Sequence, residues 1–329
     1  MTSLRASILV LILLLAGGAV PAAHGQVYPA KPVRLIVPHP GGGGPLDAPG
    51  RGLAEFLGKS LGQAFVVENR DGAQGIIGAA AVTKSEPDGY TLLFTSSSVI
   101  TVNALVRASV PYDAERDFDP VAYVGVINSL LMVHPSVPAK DLTELIALAK
   151  AKPNAITWGT LGTTSVGPLL IGWFRKHTGA EFYMIPYKST VQALMATVAG
   201  DVNVVAYAVG QGSKLVKAGK LRALAIVASK RADVLPDVPS TVEQGVDLKF
   251  RNWIGLFAPR NTPKDIIERL NRATGVALAD ATFRQKYLHA VGVFEDEMSG
   301  TSPEKFAAFI REDRQAYEDV VKAAGIQKQ

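Results

Sequence analysis

Short β-branched runs alternate along the chain with longer stretches whose apolar residues recur every three or four positions. Val33-Arg34-Leu35-Ile36-Val37 opens the series and predicts a mostly buried strand. After a glycine-rich loop, Leu53, Phe56, Leu57 and Leu61 supply one apolar face, which predicts a helix from about Ala48. Asp47 suits its N-cap, and Pro49 suits the first turn, where a missing N–H costs nothing. Strand patterns follow at 64–70, 90–95, 121–125 and 129–133, with a small-residue helix at 76–84 between the first two. Asp141 with Glu144 has capping-box spacing and predicts a helix over 141–150.

The opening pattern then recurs. A strand at 155–159 leads into the polar loop Thr160-Leu161-Gly162-Thr163-Thr164-Ser165. A helix follows from Val166, capped by Ser165, with Pro168 in its first turn. Strand patterns at 182–185, 202–207, 221–228 and 254–258 alternate with helical ones at 192–199 and 212–218, and the tail from Pro263 is helical. Such alternation argues α/β layers. Each of the two strand–loop–helix units aims bare N–H groups and a helix N-terminus at one place, which is an anion site. Two units more than a hundred residues apart are expected to be half-sites facing one cleft. A plain βα turn is the alternative reading of either one, since a glycine cluster alone is a weak signal. Ser96-Ser97-Ser98 places hydroxyls at the C-terminal end of a strand, where ligands gather in open α/β sheets.

The first residues form a separate segment. Arg5, the apolar run Ile8–Leu15 and Ala23-His24-Gly25 have the layout of a secretory signal peptide cut near Gly25. The apolar run is short of the ~20 residues a membrane span needs. The chain has 329 residues, enough for two domains, and no cysteine. That excludes thiolate metal sites, cysteine nucleophiles and a lipid anchor at the cut, and it fits export. Net charge is +5 over the full chain, and +4 without Arg5. The basic residues are spread out, which suits small anions better than nucleic acid.

The residues also resemble a known family, the extracytoplasmic solute-binding proteins of tripartite tricarboxylate transporters, or Bug (Bordetella uptake gene) proteins. The resemblance rests on Val37-Pro38, Pro40 and the glycines with Asp47 and Arg51; Leu61-Gly62-Gln63; Val67-Glu68-Asn69-Arg70; Gly72-Ala73; and Pro87-Asp88-Gly89-Tyr90-Thr91-Leu92-Leu93. It continues through Pro186-Tyr187-Lys188, Ala218-Gly219-Lys220-Leu221-Arg222, Pro236-Asp237-Val238-Pro239, Trp253 with Gly255-Leu256, and Gly325-Ile326. No one motif is decisive; their order and spacing are. The resemblance implies an α/β, two-domain periplasmic binding protein fold (type II-like) with a ligand cleft between the domains. It implies a first domain of 26–127 and 249–329 with the second, 128–248, inserted. It further implies a monomer that carries a small organic carboxylate, without a cofactor, to membrane permease subunits or to a sensor protein.

On this reading the expected contacts are Gly42, Gly43, Gly44, Leu46 and Asp47 from the first loop, and Gly162, Thr163, Thr164 and Ser165 from the second. Ser97 and Tyr187 shape selectivity, and Asn203 meets the distal end of the ligand. Several positions depart from the family pattern. Leu46 replaces a threonine, Thr164 a glycine, Pro168 a histidine, Ser189 a glycine, Gln192 a proline and Asn203 an aspartate. Leu46 hints at a less polar ligand.

Enzyme readings are weaker. Thr163-Thr164-Ser165-Val166-Gly167 follows a strand like a nucleophile elbow but lacks the first glycine that its tight turn requires. His177 and His289 show no evident carboxylate partner in sequence. Gly58-Lys59-Ser60 lacks the leading glycine of a P-loop, and no close histidine–carboxylate cluster suggests a metal. His39 and His134 are expected to be hydrogen-bonded structural groups, and Trp158, Trp173 and Trp253 core residues.

Overall fold

The computed structural model describes residues 27–42, 44–162, 166–248 and 251–328. In chain order its strands are β1 (Val33–Val37), β2 (Phe65–Asn69), β3 (Thr91–Ser96), β4 (Phe118–Ile127), β5 (Ser129–Val133), β6 (Thr157–Leu161), β7 (Tyr183–Tyr187), β8 (Val204–Ala208), β9 (Arg222–Val227), β10 (Trp253–Pro259) and β11 (Val293–Phe294). The helices of eight or more residues are α1 (Asp47–Leu61), α2 (Ile76–Thr83), α3 (Leu142–Ala151), α4 (Val166–Thr178), α5 (Thr190–Ala199), α6 (Val209–Lys217), α7 (Lys264–Ala279) and α8 (Pro303–Ala324).

The strands form two sheets. One has the order β11-β4-β10-β3-β1-β2 and the other β7-β6-β8-β5-β9. Their layouts match. In each, three parallel strands carry the leading unit at their centre, β1 between β2 and β3 and β6 between β7 and β8. Antiparallel strands complete each sheet on one side. The recurrence seen in sequence is therefore a structural repeat, and both glycine-containing loops leave the C-terminal ends of parallel strands. The sequence places most elements within two residues. The exceptions include Phe118–Pro120, expected as a surface connection and found in β4, and α6, which starts three residues early.

The chain passes between lobes through one residue, Asn128, between β4 and β5. Its N–H donates to Gly292 O at 3.0 Å, and its carbonyl accepts from Val209 at 3.1 Å. Beside this crossing the backbones of the two lobes touch. A Cβ built on Gly210 would stand 2.8 Å from Ala290 O, and one on Gly292 (φ +82°) 3.0 Å from Gly210 N. Only glycine fits at either position.

α8 spans both lobes. Phe306 and Ile310 pack with Tyr123 and Trp253 in the first lobe, whereas Tyr317, Val320 and Val321 pack with Trp158, Leu169 and Trp173 in the second. Val102 and Val106, from the 26–127 segment, join that second core. The three tryptophans are core residues as expected. No described helix is long and apolar enough to cross a membrane. The proposed signal peptide lies outside the described residues.

Candidate ligand-binding site

The first loop is tied to its own helix. Asp47 is buried, and its Oδ2 accepts the Gly42 N–H at 3.1 Å and Arg51 Nε at 3.1 Å, while Oδ1 accepts Asn69 Nδ2 at 2.9 Å. Asn69 Nδ2 also donates to His39 O at 3.0 Å. Asp47 is thus a brace for the loop. It is also the first helical residue; Leu46 takes the N-cap position and makes no side-chain cap bond. The expected cap is off by one because the carboxylate bonds backward into the loop. The Gly42 N–H, expected to face an anion, is occupied by Asp47. Leu46 is packed in the first-lobe core with Leu53 and Leu57, so it does not set ligand polarity. Gly44 is half-buried, and its carbonyl accepts from Ala48 at 3.0 Å. Gly43 lies outside the described residues.

The second loop starts with Gly162 at φ +55°, a left-handed position. Its N–H donates to Tyr187 O at 3.0 Å and its carbonyl accepts Thr160 Oγ1 at 2.8 Å. This N–H too is committed within the protein. Thr163, Thr164 and Ser165 lie outside the described residues.

Between the lobes, at the C-terminal ends of β6 and β8, is a cavity of about 230 Å³. The second lobe gives it Gly159, Thr160 and Leu161, the starts of α4 (Gly167, Leu170) and α5 (Thr190, Ala193), Tyr207, and Gln211 of α6. The first lobe and the crossings give Pro45, Ser98, Ile127, Ser129 and Asn252. No charged side chain lines it among the described residues. Hydroxyls, amides and two helix N-termini are what it offers, a set suited to an anion held by dipoles. Its volume is below the ~300–1,000 Å³ of drug-sized sites, so its occupant is small. Gly167 must be small: a Cβ there would meet Thr160 Cγ2 at 2.9 Å. Burial raises the Tyr207 hydroxyl pKa, partly offset by a hydrogen bond with Thr190, so Tyr207 is a neutral donor.

A larger cavity, about 580 Å³, opens beside the crossings and is lined by Lys230, Arg231, Asp247, Arg251 and Glu295–Glu297. Arg251 there is paired with Asp296 at 3.0 Å and Glu297 at 2.7 Å. It lies away from the parallel strand ends and has neither loop.

Three expected contacts are engaged elsewhere in the structure. Ser97 is fully buried, and its hydroxyl is bonded to Tyr317 Oη at 3.1 Å; the half-buried neighbour Ser98 lines the cavity instead. Tyr187 offers its carbonyl to Gly162 while Tyr207 lines the cavity. Asn203 precedes β8, at the end of the sheet away from the cavity. Its Oδ1 accepts Thr157 N and Oγ1, both at 2.9 Å. Ser98 belongs to the Ser96-Ser97-Ser98 strand end singled out in the sequence, whereas Tyr207 has no motif around it and only its strand-end position could have flagged it.

Two histidine expectations also change. His289 Nε2 is 2.7 Å from Glu295 Oε2, a carboxylate partner that the sequence did not reveal. That carboxylate is shared with Arg284 at 2.7 Å. His39 Nε2 is buried without a hydrogen-bond partner among the described residues, and burial lowers its pKa to about 4. His134 is bonded to Ser136 Oγ at 2.7 Å, as expected for a structural group.

Two α/β lobes joined by crossing strands, with a small cavity that no charged side chain lines among the described residues at facing strand ends, define a two-domain solute-binding protein. The model of the tripartite tricarboxylate transporter family receptor matches residues 50–326. The Bordetella pertussis protein BugT is 35% identical over 314 residues, covering 94% of each chain. The R. palustris protein Rpa4515, solved with adipate, is 31% identical with a TM-score of 0.80, over 92% of this chain and 100% of that one. MatC of Rhodopseudomonas palustris, solved with bound malate, is 30% identical with a TM-score of 0.74, over 89% and 100%. The chain belongs to the tripartite tricarboxylate transporter receptor family, whose members are substrate-binding proteins and not enzymes.

Proposed function

We propose that this protein captures a small organic carboxylate in the cavity between its lobes and delivers it to a tripartite tricarboxylate-type permease. The observation that carries this reading is the cavity itself: small, lined by neutral donors, and flanked by the N-termini of α4 and α5. The carboxylates bound by Rpa4515 and MatC support the ligand class. Gly43, Gly44 and Thr163–Ser165 remain the proposed N–H donors, joined by Ser98, Thr190 and Tyr207. The lobes are taken as 26–127 with 249–329 and as 128–248, with α8 bridging them. The mature chain is a periplasmic monomer from which residues 1–25 have been removed.

Native mass spectrometry of the mature protein, followed by thermal-shift screening against adipate, malate and related acids, tests this reading. A ligand at a hundred times its Kd stabilises by about 2.7 kcal/mol, enough to raise Tm by a few degrees. A co-purified or stabilising carboxylate is expected. If no acid binds or shifts the melt, the ligand class is wrong.

A further inference from the structure

The turn joining β2 to α2 holds four consecutive residues at positive φ: Gly72 (+130°), Ala73 (+48°), Gln74 (+57°) and Gly75 (+88°). Two are glycines, for which this costs little. Ala73 and Gln74 are not, and side chains there crowd the following carbonyl. The turn is held in place from several directions. Gly75 N–H donates to Gly72 O at 3.0 Å, and buried Asn103 donates its Nδ2 to Gln74 O at 3.2 Å. A Cβ on Gly72 would lie 2.5 Å from Ile77, and one on Gly75 2.6 Å from Val99. Strain that persists in an over-determined turn points to use of the strained residue. Ala73 is exposed, whereas Gln74 is half-buried and extends to the other lobe. Its Nε2 comes within 4.0 Å of where a Cβ on Gly162 would stand. Gly162 is fixed by its bonds to Tyr187 and Thr160 and begins the second anion loop. The turn packs on Val99, next to Ser98 in the cavity wall.

We propose that Gln74 is the interlobe latch: the strained turn holds its amide against the Gly162 turn, so that the first lobe grips the second across the cavity whether or not it is filled. Gln74 thereby sets how tightly the closed form is held. Closure is a population shift, so a contact made only in the closed form adds to apparent affinity. The choice of probes rests on the carboxylate reading above; the latch itself does not.

The test compares Gln74→Ala, Gln74→Glu, Gln74→Gly and Ala73→Gly with the parent by calorimetry with adipate and malate, and by small-angle scattering without ligand. Q74A is expected to bind about five- to tenfold more weakly. Q74E is expected to bind more weakly still, because a carboxylate cannot donate and repels an anion. A73G relieves the same kind of strain and is expected to stay within about twofold of the parent. Q74G should bind like Q74A yet melt no lower than the parent, which separates loss of the latch from loss of the fold. Binding by Q74A and Q74E within about twofold of the parent overturns the latch. If the parent binds neither acid, the carboxylate reading fails, and scattering decides alone. A larger radius of gyration for unliganded Q74A than for the parent and A73G supports the latch, and an unchanged one overturns it.

Discussion

The Trp253 indole N–H donates to the Asp313 carboxylate at 2.6 Å, at the seam where α8 passes from one lobe to the other. Asp313 is 4% exposed, and burial raises its pKa to about 7 against the help of Trp253 and Arg251. The folded state therefore binds a proton that the unfolded chain has already released between pH 3.8 and about 7. The unfolded state binds fewer protons in that window, so this group's contribution to stability falls as pH rises through it. Asp313→Asn removes the titration. Urea unfolding across this range should show a flatter profile for the variant. Parallel profiles would mean that Asp313 is ionised throughout.

Asp47 gathers the Gly42 N–H, Arg51 and Asn69 at one buried carboxylate. Truncating it to alanine removes these three part-buried hydrogen bonds while Asn69 keeps the His39 carbonyl, a cost of about 1–3 kcal/mol. The ion-pair share is modest because Arg51 is half exposed, so Arg51→Ala should cost about 1 kcal/mol or less. Denaturant midpoints with unchanged slopes would check both values. An Asp47→Ala variant as stable as the parent would remove the brace from the account.

Asn203 bridges the first residue of β6 to the segment that enters β8. Asn203→Ala should lose about 1–2 kcal/mol of stability by orphaning the Thr157 N–H. Its affinity for any carboxylate should equal that of the parent. A weaker Kd with an unchanged Tm would return Asn203 to the ligand's distal end.

Sequence periodicity carried the strands, most helices and the repeated strand–loop–helix unit, because each leaves a local signal of period 2 or 3.6. Side-chain direction at strand ends was not legible. Leu46 and Pro45, or Ser97 and Ser98, differ by one residue, yet one of each pair is packed inside and the other lines the cavity. Remote partners decide between them. Ser97 is claimed by Tyr317, 220 positions away, and Asp47 by Asn69, 22 away. Gln74 was equally hidden, since its reach to Gly162 depends on four backbone dihedrals.

Ser97 and Ser98 make that distinction measurable, together with Tyr207. Tyr207 is cross-strand to Leu130, and its ring is part of the second-lobe packing while its hydroxyl faces the cavity wall with Thr190. Tyr207→Phe keeps the packing and removes one neutral donor, so binding should weaken about fivefold with little change in Tm. Its raised hydroxyl pKa keeps that donor protonated at neutral pH, so Tyr207 adds no pH dependence to binding there. Ser98→Ala should likewise weaken binding. Ser97→Ala should instead lower Tm, because one of the buried hydrogen bonds at the Tyr317 hydroxyl is lost in a fully buried place, and should leave Kd near the parent value. Calorimetry with adipate or malate and a melting curve on each variant separate the two kinds of residue. If Ser97→Ala weakens binding and Ser98→Ala does not, the cavity wall has been assigned to the wrong serine.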